Sequence, residues 1–218
     1  MTASVPSSRA VLAALGGHAD ELGQVLAVLR AAGVTEPEEL PLGRGDRMLL
    51  GLVGTVTGAD LELAVTCGAC GTVNSAVLSP ANVEGDAGDE RDDRTVGVRP
   101  PTYADLRGLP AEPDAATAEL LRRCTVGAPS PPPTAEDLDL VDGSLAGPLV
   151  LACTGCDRQV VAPVDIQQAA LERLVGCAWE LDYEVHVLAG AYRWDLAAIE
   201  GLPDERRRRL ARFINAGR

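Results

Sequence analysis

The chain contains no lysine: all 19 of its basic residues are arginine. A Walker-type phosphate loop, Schiff-base chemistry and the lysine-dependent serine hydrolases all need that amine, so each is excluded despite the glycine-rich stretch GLVGTVTG at 51–58. Histidine is nearly as scarce. His18 and His186 are the only two, neither lies beside a nucleophile motif, and DGSLAG at 142–147 misses the G-x-S-x-G pattern. A serine or cysteine triad has no placed base to recruit, and the chain reads as a non-enzyme, with His186 a structural histidine between Val185 and Val187. Aromatics make up 3% of the residues, which leaves Leu, Val and Ala to fill a core. Trp179, Tyr183, Tyr192, Trp194 and Phe213 nevertheless crowd into the last quarter, marking either the best-packed region or a docking surface.

Long apolar runs are missing too. No stretch of about 18 apolar residues occurs, and MTASVPSSRAVLAALGGHADE lacks a charged start ahead of an adequate apolar core. Neither membrane insertion nor secretion is expected, and the expected location is cytoplasmic. Acids outnumber bases 32 to 19, a net charge of −13 that repels phosphate backbones, so no nucleic-acid partner is expected. A nucleic-acid-associated zinc-ribbon adaptor, the alternative reading, needs a basic stripe, and only the arginine run at 206–209 offers one.

Cysteine is present in a pattern. VTCGACGTV places Cys67 and Cys70 at C-x-x-C spacing, and LACTGC repeats it with Cys153 and Cys156 after an interval of 82 residues, 71–152. Cys124 and Cys177 stand alone and read as small buried apolar residues. Four thiols in two knuckles point to an all-cysteine site, for which zinc is the usual ion: thiolate is soft, and four of them complete a tetrahedron with no open position. Two disulfides or four unconnected thiols are the alternatives; a chain without a secretory signal favours metal. Leu61, Leu63 and Val65 alternate with Glu62, Ala64 and Thr66 before the first knuckle, and Val73 and Val77 follow it. PLVLA and QVVAPV flank the second, so each pair sits at the tip of a β-hairpin. The expected fold is α+β: a split four-cysteine zinc ribbon with flanking and inserted helices and a C-terminal helical region. Gly68, Gly71 and Gly155 are expected to supply positive φ in the knuckles.

Along the chain, residues 1–58 form a helical part, with one helix over 19–33 and a second opening at Asp46 as its cap. The ribbon occupies 59–80 and 147–165. Between its halves, 81–146 is an insertion in which the acidic stretch 83–93 reads as a mobile loop. Short helices are predicted to start at Thr102 and Thr134, each with Asp three residues on in a capping-box pattern, and AATAELLRRC forms another. GAPSPPP is a stiff connector. Residues 166–218 are helical. Leu171, Leu174, Ala178, Leu181, Val185 and Leu188 mark a core-facing stripe or a coiled-coil seam. Asp195 caps a helix with Trp194 and Ile199 as a hydrophobic staple, and a final helix begins near Pro203. Its Arg206, Arg207, Arg208 and Arg209 form either a solvated face or a partner surface.

The order LPLGRGDRMLLGLVG, ADLELAVTCGAC, VRPPTYADL, LVLACTGC and EVHVLAGAYRWDLAAIEGLPDERRRRLARFI resembles the baseplate hub assembly proteins of T-even-type phages, in the version found in bacterial phage-tail-derived contractile injection systems. The resemblance spans about residue 39 to residue 213. At the knuckles, Gly68 and Thr154 stand where relatives often carry proline, and Asp157 where glycine is usual. The resemblance implies a non-catalytic baseplate component or hub assembly factor contacting hub, spike or wedge proteins. Tyr192, Trp194, Phe213 and the four arginines would be the binding surface, either in the cytoplasm or within an assembled tail-like particle.

Overall fold

The computed structural model describes residues 8–17, 20–81 and 97–216. They divide into two compact units, Met1–Arg173 and Leu174–Arg218. The acidic stretch 83–93 and His18 lie outside the described residues.

The first unit is mixed helix and sheet. Helices α1 (Ser8–Ala14), α2 (Glu21–Ala31) and α3 (Leu42–Thr57) pack in succession, burying Val11, Val25, Val28, Leu29, Leu49, Leu50 and Val53. Asp20 caps α2 by accepting from the Gly23 amide, and Gly33 follows its end with φ +95. The start of α3 differs from expectation. The helix begins four residues before Asp46, behind Pro41, and Asp46 lies inside it, fully buried. Its neighbours explain why glycine precedes it. A Cβ on Gly43 would overlap the Gly143 carbonyl, and one on Gly45 would overlap the Tyr103 ring and hydroxyl. The Gly-Arg-Gly-Asp stretch is thus where α3 is pressed against the insertion.

Two antiparallel hairpins follow, β1 (Leu61–Thr66) with β2 (Val73–Leu78), and β3 (Gly147–Ala152) with β4 (Gln159–Val164). Each is a separate two-stranded sheet. The insertion between them carries α4 (Pro113–Cys124) and α5 (Ala135–Val141) around a small core of Val98, Cys124, Leu138 and Val141. Thr134 and Asp137 form the expected capping box of α5. No helix starts at Thr102, however. Its amide donates to the Asp105 carboxylate as the pattern requires, but its hydroxyl donates there too instead of accepting from the Asp105 amide, which bonds the Thr102 carbonyl; the chain only turns, and Gly108 at φ +65 and Pro110 follow before helix can propagate. Asp105 instead takes a bidentate ion pair from Arg99 at 2.7 and 2.8 Å. Burial raises its carboxyl, but Arg99 and Thr102 outweigh that and hold it down at about 2.

Helix α6 (Ile166–Tyr192) begins in the first unit, where Asp165 accepts from the Gln167 and Gln168 amides and Ile166, Ala170 and Leu171 are buried. Its remainder belongs to the second unit with α7 (Leu196–Glu200) and α8 (Asp204–Ala216). There Leu174, Cys177, Val187, Leu188, Ile199 and Ala211 are buried, whereas Ala178, Leu181 and Val185 of the stripe are only half-buried. Asp195 caps α7 by accepting from the Ala198 amide at 2.7 Å. No helix among the described residues is long and apolar enough to cross a membrane.

Candidate metal centre

The hairpins bring the two C-x-x-C pairs together. In the first, the Cys67 amide donates to Thr72 O at 2.8 Å and the Gly71 amide to Cys67 O at 2.9 Å. In the second, the Cys153 amide donates to Arg158 O at 2.8 Å and the Asp157 amide to Cys153 O at 2.9 Å. The knuckles therefore share one backbone design, with the fifth residue left-handed: Gly71 at φ 76 and Asp157 at φ 58. Aspartate is among the few side chains that enter this region readily, so its place in the second knuckle keeps the turn. Of the three glycines expected to supply positive φ, only Gly71 does so. Gly155 is needed for another reason: a Cβ there would overlap the Thr72 hydroxyl of the opposite knuckle. Gly68 meets neither constraint.

All four sulfurs lie within 4.8 Å of one another. The Cys67 and Cys156 sulfurs are 3.9 Å apart and those of Cys70 and Cys153 are 3.5 Å apart, too far for disulfide bonds. A tetrahedron with metal–sulfur bonds of about 2.3 Å has sulfur edges of roughly 3.8 Å, so the set can hold a metal ion and is compatible with zinc. Cys67 and Cys153 are buried, Cys156 is half-buried and Cys70 is exposed, leaving the site open to solvent on the Cys70 side. The Gly155 amide draws the Cys153 thiol down to about 6. The Arg158 amide acts the same way on Cys156, but the three neighbouring sulfurs overcome it and push that thiol up to about 12. Four crowded sulfurs cannot all ionise without a cation among them, and a divalent ion supplies that charge.

Asn74 is the functional residue that sequence reasoning missed. It is 2% exposed, on the inward side of β2. Its amide nitrogen donates to Thr72 O at 3.1 Å and lies 3.8 Å from the Cys153 sulfur, while its oxygen accepts from the Thr154 amide at 2.8 Å and hydroxyl at 3.0 Å. One side chain thus ties the first knuckle to the second. The available signal was a polar residue on the register of an otherwise apolar inward row.

The residues expected at a partner surface all fall in the second unit. Tyr192 and Trp194 stack with ring centroids 4.7 Å apart, and both are exposed, as is Phe213. Arg206 and Arg209 are exposed and Arg208 is partly so. Arg207 turns inward instead, 7% exposed, donating to Glu184 and Asp204 at 2.8 Å each. Trp179 and Tyr183, one helical turn apart on α6, add exposed aromatic surface, and the Tyr183 hydroxyl donates to Asn215 at 3.2 Å. His186, expected as a structural histidine, stands exposed on α6.

No family model, no curated protein and no solved structure matches this chain.

Proposed function

We propose that Cys67, Cys70, Cys153 and Cys156 hold one structural zinc, making the paired hairpins a split zinc ribbon, and that the chain is a non-catalytic baseplate component or hub assembly factor of a contractile phage tail-like injection system. Four protein sulfurs leave a zinc ion no open position for substrate or activated water, which supports a structural rather than catalytic metal. The resemblance that runs from LPLGRGD to the arginine run supports the assembly role. The observation that carries the binding role is the distribution of aromatics. Five of the six, Trp179, Tyr183, Tyr192, Trp194 and Phe213, are exposed on the second unit at 37–73%, whereas Tyr103 in the first is fully buried. Exposed Trp, Tyr and Phe beside arginine are the residue types enriched at interface hot spots, and a chain so poor in aromatics gains nothing for its own core by showing them to water.

On this reading the second unit docks onto a hub, spike or wedge protein, with Arg206, Arg208 and Arg209 meeting acidic groups and the Tyr192–Trp194 stack setting the approach. Arg207 takes no part, because its charge is spent on Glu184 and Asp204. The test is affinity purification from the native cell. Replacing Arg206, Arg208 and Arg209 by Ser should leave metal content and thermal stability unchanged while abolishing co-purification with baseplate proteins. Normal particle assembly by that variant refutes the docking role.

A further inference from the structure

The first unit contains a cleft of about 470 Å³ between the hairpins. Consecutive residues 63–66 of β1 and 162–164 of β4 line it, and a strand that contributes consecutive residues is presenting its edge rather than one face. The hydrogen-bond phase of β1 follows from its register. Cys67 and Thr72 close the ladder, so Val65 with Asn74 and Leu63 with Ala76 are the bonded pairs, and the backbone groups of Ala64 and Thr66 point outward to the edge. Those outward groups meet no backbone partner among the described residues. Across the cleft the same phase puts Pro163 outward on β4, where it has no N–H to offer, and Pro148 outward on β3. The second hairpin has its edges blunted by proline; β1 does not. The floor is formed by the start of α6, where Asp165 and Glu172 line the cleft; Asp165 accepts from the Gln167 and Gln168 amides, and Glu172 from the Gln168 side chain at 3.0 Å.

We propose that the edge of β1 is a strand-addition site for an extended, basic segment of a partner protein, which pairs its backbone with Ala64 and Thr66 and directs an arginine or lysine to Asp165 and Glu172. An unpaired edge recognises any extended chain through its amides, and the side-chain pockets select among them. Charge complementarity selects a basic occupant here. Glu21, pushed up by burial and by repulsion from Asp165 and Glu172, adds a third carboxyl to the same neighbourhood. This edge belongs to the first unit and the exposed aromatics to the second, and the substitutions that test them share no residue.

The probe is an acetylated, amidated eight-residue peptide alternating arginine and valine, titrated into the metal-loaded full chain and followed by fluorescence anisotropy and amide exchange. Binding should slow exchange of the Ala64 and Thr66 amides. A peptide of the same charge with alternate amides N-methylated should bind at least tenfold more weakly, as should the Ala64→Pro variant, which repeats on β1 the device already present at Pro163. Glu172→Gln should weaken binding about threefold, and a glutamate–valine peptide should not bind. Equal affinity for the methylated and unmethylated peptides reduces the contact to diffuse charge attraction and overturns the proposal. So does equal affinity for the glutamate peptide, or the absence of binding at 1 mM.

Discussion

The two hairpins superpose in sequence residue for residue, Cys67 on Cys153 and Cys70 on Cys156, and yet they reach the same place by different means. Both have the same knuckle hydrogen bonds, and β2 and β4 share one burial pattern. Their contents diverge where they meet the rest of the chain. The inward residue of β2 next to the knuckle is Asn74, while its counterpart in β4 is Val160; both are buried. The first hairpin is joined to α3 by chain continuity across 58–60. The second is held to the same helix by Asp46, which accepts from the Leu145 amide at 2.8 Å just before β3 and from the Gln167 side chain at 2.9 Å just after β4. The backbone turn and the four sulfurs are therefore the fixed requirement, and the polar groups that position each half are particular to it.

The largest expected effect treats the halves as equal. If the proposed zinc ribbon holds, Cys67→Ser and Cys153→Ser should each lose the metal and lower the melting temperature by more than about 10 °C, given that 1 kcal/mol is worth about 2–4 °C in a chain of this size. Retention of one zinc per chain by either variant, measured by elemental analysis, breaks the equivalence.

Asp46 should separate them. Its carboxyl is pushed up to about 6 from an ordinary 3.8, chiefly by burial. A folded value above the unfolded one means that the protonated form favours folding, so the contribution is fully present below about pH 4 and is lost as pH rises through 6. At about 1.4 kcal/mol per unit, that is roughly 3 kcal/mol. Asp46→Asn should therefore gain on the wild type between pH 4.5 and pH 7.5 in denaturant titrations, a difference that cancels the acid sensitivity of the thiols. A gap that does not change with pH removes the buried carboxylate from the account.

Asn74→Val gives the first hairpin the residue of the second. It should cost about 1–3 kcal/mol, because the Thr154 amide and Thr72 carbonyl lose their partner, and should speed metal loss to a chelator. Val160→Ala, a packing change alone, should leave the chelation rate closer to wild type. Gly155→Ala should also weaken metal retention and be rescued by Thr72→Ala, whereas position 69 in the other knuckle is already alanine. The smallest effects belong to the left-handed residues. Gly71→Ala should cost about 1 kcal/mol and Asp157→Gly should be neutral or slightly stabilising, since only the former adds a Cβ to a turn that was free of one.

Much of this was legible beforehand because it is written in local patterns. Paired C-x-x-C spacing, period-two alternation from Leu61 to Val65, the Thr134–Asp137 box and the Asp195 cap all involve residues within a few positions of one another. Asp46 was not legible in its true role, since its partners lie 99 and 121 residues away and a lone acid near a helix start reads most simply as a cap. Arg207 was misplaced for a similar reason. Within a run of four arginines nothing in the spacing says which one turns inward, and Glu184, 23 residues earlier on another helix, decides it. Thr102 shows the converse failure, a local signature half met by a turn that the following Gly108 and Pro110 keep short.

The distance between the two halves of the metal centre also sets a schedule. A ribosome adding about 5–20 residues per second delivers the second pair of cysteines roughly 4–16 s after the first. Throughout that interval Cys67 and Cys70 are a nascent dithiol without companions, open to oxidants, to other metals and to any chaperone that binds thiols. Asp46 waits longer still, since Gln167 emerges after both hairpins. For the proposed zinc site, the order of synthesis makes four-sulfur loading a late event, and the undefended half-site is the earlier of the two.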